Sequence, residues 1–330
     1  MKDGFIARKA EFLVESINKF KNIGKCDDLI VYHYTSTDGL LGILENNGSP
    51  KISLRFTQYD SLNDKKERQD IKDTLVEYCV IQSKKKLIST ELVEKIRSIK
   101  LNDKITILKK TGESLEVNDG EKVEVKELVD NAESFTYLCC FSTNRDSLAM
   151  WNYYTKSNNY EGYSLGLAVD DIKISKWDYK PYHIEVMKVI YDKQDKFDLF
   201  EEYLLPILLE YDKCSQEDRV DILNIITILM NSVQFIFKNE HFKHEQEVRA
   251  ILRVPKEFCS DEKISKRKYR GSNGYIVPYV ELYLDKSALV NVTTAPLFEQ
   301  DLAINNLSSM LNERGYPKVI IEPSSVPIRF

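Results

Sequence analysis

Residues 135–142 read FTYLCCFS, with apolar side chains at both odd and even positions. Successive side chains of a strand point to opposite faces, so such a strand can show neither face to water. It has to lie inside a sheet, and the rest of the chain has to cover both sides. A second run, 247–254, alternates instead. Val248, Ala250, Leu252 and Val254 share one face, and Glu247, Arg249 and Arg253 share the other, with Glu245 two residues upstream in phase.

Further strand patterns fall at 29–35, 52–56, 163–170, 275–284, in IEVMKVIY and in KVIIEP. Leu165, Leu167 and Val169 line one face of the 163–170 strand. Helical spacing runs over 1–24, 66–100, 197–213, 217–238 and 299–313, with a short helix in SLAMWNYYT. Ser36 or Thr37 caps a helix that buries Leu40, Ile43 and Leu44 and stops at Gly48. Asp64 and Glu67 have capping-box spacing. Residues 103–127 alternate around turn signals at Thr111-Gly112 and Asp119-Gly120 and predict a hairpin insertion. Strands and helices do not alternate regularly, which predicts an α+β fold in one domain, 1–330. Its core would comprise about 27–65, 135–195 and 239–330. A helical and hairpin insertion would span 66–130, and a helical pair 197–238.

The net charge of −5 gives no global pull toward nucleic acid or an anionic membrane. A nucleic-acid contact would need a local patch. The basic loop 263–272, from KISKRKYRGSNG, reads first as a solvated loop, and it is the patch where a nucleic-acid contact would fall. The apolar run 220–238 is broken by Asp221, Asn224, Asn231, Ser232 and Gln234, so a buried helix is expected and no membrane span. The N-terminus lacks the continuous apolar core of a signal peptide, and a cytoplasmic protein is expected. Six cysteines occur without a C-x-x-C pair, so neither a zinc site nor a disulfide framework is expected. His241 and His244 are three apart, unlike H-E-x-x-H, and no metal is expected. No P-loop, G-x-G-x-x-G after a strand, or G-x-S-x-G is present.

Three constellations could carry chemistry. Glu245 and Glu247 sit close together on one strand face, where like charges raise one pKa unless a cation such as Arg249 intervenes. The pair could orient a ribose hydroxyl or stabilise a developing cation, or be a solvated face with a cross-strand ion pair. His33, Tyr34 and Thr35 end the first strand just before a helix, with Val31, His33 and Thr35 pointing one way and Tyr32 and Tyr34 the other. Trp151, Tyr153 and Tyr154 could wall a planar ligand or simply bury a helix against a sheet. Ser142 could offer a hydroxyl to a ligand, and Gly166 could admit another backbone.

The order of these pieces resembles one family. His-Tyr-Thr before a small helix, "LND" with Glu67, "CFS", "MW" with a Tyr three residues later, then Lys238, Phe242 and E-x-E-x-R resemble the bacterial family catalogued as domain of unknown function 2971. The resemblance runs from about Tyr32 to Arg329. Phe242 stands where a tryptophan is expected, and Lys65-Lys66 where Pro and an aromatic usually follow "ND". That family in turn looks like a distant member of the ADP-ribosyltransferase fold. The opening YHYTSTDGLLGIL is similar to the start of enzymes that ADP-ribosylate DNA and of RNA 2′-phosphotransferases.

The resemblance implies NAD as substrate, with His33 engaging it, Tyr154 near the nicotinamide and Glu247 at the ribose. Tyr34, Thr35, Ser142, Trp151 and Arg249 would complete the NAD site, and Glu245 would assist Glu247. It implies a toxin or anti-phage effector that modifies nucleic acid or protein and is met by a partner or antitoxin protein. The alternative is a non-catalytic sensor of a nucleotide or phage component on the same fold. A regulatory partner docking through the 197–238 helices is the third reading.

Overall fold

The computed structural model describes residues 24–44, 51–62, 67–101, 105–117, 121–132, 134–155, 161–173, 184–255, 267–272, 274–296, 299–316 and 318–327. The helix expected at 1–24 and the Asp64 cap lie outside them. In chain order come β1 (Ile30–Thr35), α1 (Thr37–Leu44), β2 (Lys51–Gln58), α2 (Glu67–Lys84), α3 (Thr90–Ser98), β3 (Ile105–Val117) and β4 (Glu121–Ala132). Then follow β5 (Ser134–Ser142), α4 (Leu148–Tyr154), β6 (Tyr163–Ala168), α5 (Val169–Lys173), β7 (Ile184–Lys188), α6 (Lys193–Leu199), α7 (Leu205–Tyr211) and α8 (Gln216–Val233). The chain continues with β8 (Glu247–Pro255), β9 (Lys268–Ser272), β10 (Tyr275–Asp285), β11 (Leu289–Thr294), α9 (Gln300–Glu313) and β12 (Ile320–Pro323). The fold is mixed α+β.

The doubly apolar strand is β5, and it sits at the junction of the sheet. One edge pairs with β8 along its whole length, from Ser134↔Pro255 to Ser142↔Glu247. The other edge is forked. β1 meets it at Tyr32↔Ser142, and β2 meets it at Thr57↔Leu138 and Gln58↔Tyr137. From the fork the described sheet runs outward as β1-β6-β11-β12 on one arm and β2-β10-β9 on the other, and β7 borders β8.

Register divides the sheet into two unlike faces, because directly paired residues point the same way. Val248, Phe141, Val31, Leu165, Leu167 and Val292 lie on one face, inside the main apolar core. On the other, a row of paired positions crosses five strand boundaries: Glu247, Ser142, Tyr32, Gly166, Asn291 and Ile320. Further along this second face, Leu138 and Ile251 join a second core with the helices α2, α3, α7 and α8. Burial of that size, at about 25 cal/mol per Å² of apolar area, holds the helical layer on the sheet.

Local signals account for the helix starts. Ser36 Oγ accepts from Gly39 N at 3.2 Å, Ser89 from Leu92 N at 3.2 Å, and Ser215 from Asp218 N at 3.3 Å. Several expectations need correction. The helix expected over 197–213 is two helices joined by a π-turn at Phe200–Leu204. Gly112 marks no turn. It lies within β3, where the pairing with β4 shifts register between Lys110 and Ser114, the place a glycine takes in a bulge. Part of the basic loop, 268–272, is the strand β9. Gly166 admits a side chain, not a backbone: a Cβ there would meet Asn291 Oδ1 at 2.2 Å. No helix among the described residues is long and apolar enough to cross a membrane.

Candidate functional site

Glu247 opens β8, and the segment before it is a 3₁₀ helix, Glu240–Glu245, whose N-cap Asn239 accepts from His241 N at 3.1 Å. Gln246 joins them in the left-handed region, φ +45°. That kink swings Glu245 off the strand yet keeps its carboxylate beside Glu247. Ser142 Oγ donates to the Glu245 carbonyl at 2.7 Å and fixes the turn. Ser142 is fully buried, so its hydroxyl is a fastener within the site and not a group offered to a ligand.

The two carboxylates meet two cations. Arg249 grips Glu247 with both arms, Nε to Oε1 at 2.9 Å and Nη2 to Oε2 at 2.9 Å. Lys238 Nζ bridges the pair, at 2.6 Å from Glu245 Oε2 and 3.1 Å from Glu247 Oε2. Arg249 Nη1 donates to the Phe235 carbonyl at 2.7 Å, and Glu247 N donates to Tyr191 OH at 2.9 Å. All four charged side chains are buried, Arg249 to 1% exposure. This overturns the solvated strand face that the sequence also allowed. The quartet is neutral, which is how a protein tolerates four ions out of water.

The electrostatics follow from this pairing. Burial alone would raise the Glu247 pKa, but the Arg249 guanidinium and the Lys238 ammonium outweigh it and hold the carboxyl at about 2. Burial would lower Lys238, and Glu247 with Glu245 outweighs it and pushes the ammonium up. The pKa of Tyr154, whose side chain is 44% exposed, is raised by its partial burial and by the field of Cys140, Glu247 and Glu245. The Cys140 thiol is pushed up by burial and by Glu247, and it is no nucleophile. Lys238 Nζ stands 4.8 Å from the Phe242 ring centre, so the aromatic at that position covers the ammonium. Behind it, buried Lys196 donates to the Lys238 carbonyl at 2.7 Å and to Asp70 Oδ2 at 2.8 Å.

The two carboxylates differ in what they have left. Both Glu247 oxygens accept charged donors. Among the described residues, Glu245 takes Lys238 on Oε2 and no partner on Oε1. Glu245 is thus the member with an acceptor to spare, and Glu247 anchors the cations that hold it.

The other sequence candidates are placed elsewhere. His33 pairs with Leu165 on the apolar face, opposite Glu247. Its Nδ1 lies 3.0 Å from the Cys140 carbonyl at the fork of the sheet. Burial holds its pKa low, the carbonyl working the other way. A carbonyl only accepts, so the neutral ring carries its proton on Nδ1. Tyr34 and Trp151 pack edge to face, 4.7 Å between centres, in a small separate core. Trp151 is fully buried, and its Nε1 donates to Asp146 Oδ1 at 2.8 Å. Tyr154 on the same helix is 44% exposed, and Tyr153 OH lies 3.0 Å from His244 Nε2. Thr35, ending β1, pairs with Tyr163. The residue patterns gave no sign of Tyr191 or Lys196. Lys238 carried a signal of its own, a lone cation closing the apolar run QFIF.

Residues 150–250, from α4 to the start of β8, match the family model described as protein of unknown function (DUF2971). This segment belongs to that family. It contains Tyr154, Tyr191, Lys196, Lys238 and the whole E-x-E-x-R run, so the DUF2971 match and the buried quartet coincide. No curated protein and no solved structure matches the chain.

Proposed function

We propose that this chain is an ADP-ribosyltransferase-like enzyme that cleaves the nicotinamide–ribose bond of NAD at the Glu245–Glu247 pair. The supporting observation is a buried carboxylate pair bridged by Lys238 and gripped by Arg249, with Glu247 held ionised by those two cations. In this reading Glu245 Oε1 accepts the 2′-hydroxyl of the nicotinamide ribose. As the C1′–N bond breaks, its electron pair neutralises the pyridinium nitrogen and nicotinamide leaves. The positive charge that grows on C1′ and the ring oxygen is stabilised by the fixed carboxylate. A nucleophile on the acceptor then bonds to C1′ and loses its proton. His33 lies on the far face and has no part in this step.

The test is nicotinamide release from NAD, followed by chromatography, for the wild type, Glu245→Gln and Glu247→Gln, alone and with DNA, RNA or lysate. Release is expected from the wild type and should vanish in Glu245→Gln with its melting temperature kept. No release under any condition from folded protein sinks this reading. The saturation of Glu247 favours a second reading, a nucleotide-binding module without turnover. It predicts stabilisation by NAD without product.

A further inference from the structure

The far end of the sheet carries a different kind of surface. Among the described residues β9 is the last strand on its arm, and β10 covers its inner edge from Tyr275↔Ser272 to Tyr279↔Lys268. Tyr269, Tyr275 and Ile276 are 60%, 72% and 78% exposed. Arg267 lies 4.4 Å over Phe135 and 5.8 Å from the Tyr269 centre. Its Nη2 meets Gln58 Oε1, and its buried Nε has no acceptor among the described residues. Arg270 Nη2 donates to Thr57 Oγ1 at 3.2 Å. Among the described residues neither guanidinium pairs with a carboxylate. Glu281 serves Lys268 at 2.5 Å and Arg55 at 3.7 Å.

Charged residues on an edge strand commonly guard against strand addition. That purpose explains the cations but not three large apolar or aromatic groups left in water beside them. Cations that track phosphates, interleaved with rings that stack on bases, are the pattern of a single-strand binding surface. A duplex keeps its bases stacked and would leave these rings unused. We infer that the β9–β10 hairpin binds single-stranded nucleic acid on the face shared by Arg270 and Tyr275, with Arg270 on a phosphate and Tyr275 stacked on a base, Arg267 and Tyr269 lying on the opposite face. The inference stands apart from NAD cleavage. With it, the bound strand would be the acceptor of ADP-ribose.

The experiment is fluorescence polarisation of the full chain with short labelled single strands of DNA and RNA and the matching duplex, at two salt concentrations. The wild type is expected to bind single strands more tightly than the duplex, and the two arms tell DNA from RNA. Arg270→Ala/Tyr275→Ala should weaken binding at least ~10-fold, since one base–ring stack alone is worth about 1–3 kcal/mol. The dependence of log affinity on log salt should flatten by about 0.7 for each phosphate that is no longer neutralised. Glu245→Gln should bind like the wild type, so a failure of NAD cleavage and a failure of strand binding are read separately. Binding to neither single strand, tighter binding to the duplex, or an unchanged double variant with an unchanged melt each overturns the inference.

Discussion

At the head of β8, two cations meet two carboxylates at 2.6–3.1 Å in a buried group of zero net charge. At the β9–β10 hairpin, Arg267 and Arg270 rest on an amide and a hydroxyl, and the rings around them face water. The same chemistry of arginine serves opposite ends. Inside, unpaired charge is too costly, so the ions satisfy one another and present fixed lone pairs and dipoles at short range. At the rim, charge without a counter-ion costs little and projects a field that attracts phosphate. One region holds its geometry by internal pairing, and the other leaves its charge available for a partner.

Three changes press on that contrast. The largest effect belongs to Arg249→Met, which strips both bonds from Glu247 and the donor from the Phe235 carbonyl. Breaking a buried pair from one side typically costs about 3–5 kcal/mol, and urea unfolding should show a loss of that size. The next is a pH effect. The Glu247 carboxyl is held near 2 in the fold against an ordinary 4.5. Its contribution is therefore complete above about pH 4.5 and is lost as the pH falls toward 2, about 3 kcal/mol in all. Denaturation of the wild type across that window should show the fall, and Glu247→Gln should flatten it. The smallest belongs to the hairpin. Tyr275→Ala should leave folding stability within about 0.5 kcal/mol. A larger loss in thermal melts would mean that the rim ring is part of the fold after all.

Much of this layout could be read from residue patterns. The doubly apolar 135–142 run identified the central strand, and the alternation of 247–254 separated the core face from the charged face. What alternation could not give was the environment of the charged face. Burial of Glu247 and Arg249 depends on Lys238, Tyr191 and the helical layer, all distant in sequence or on other elements. His33 shows the same limit. A His beside a helix start looked like a site residue, yet register puts it across the sheet from Glu247. β11 went unread because LVNVTT is short and carries Asn and Thr in place of a run of aliphatics. β9 was hidden by its cations, which read as solvated loop.

The fork on β5 has a temporal consequence. Its partners come from residues near 32, 57 and 250, so nearly every hydrogen bond of the central strand closes a long loop of chain. Such non-local pairing makes assembly slow and late. On a ribosome, β5 emerges more than a hundred residues before β8, which completes it. Throughout that interval Glu247 and Arg249 have not been made, and the apolar strand they will border waits with one edge bare. The charged centre of the site therefore cannot assemble until β8 has paired with β5.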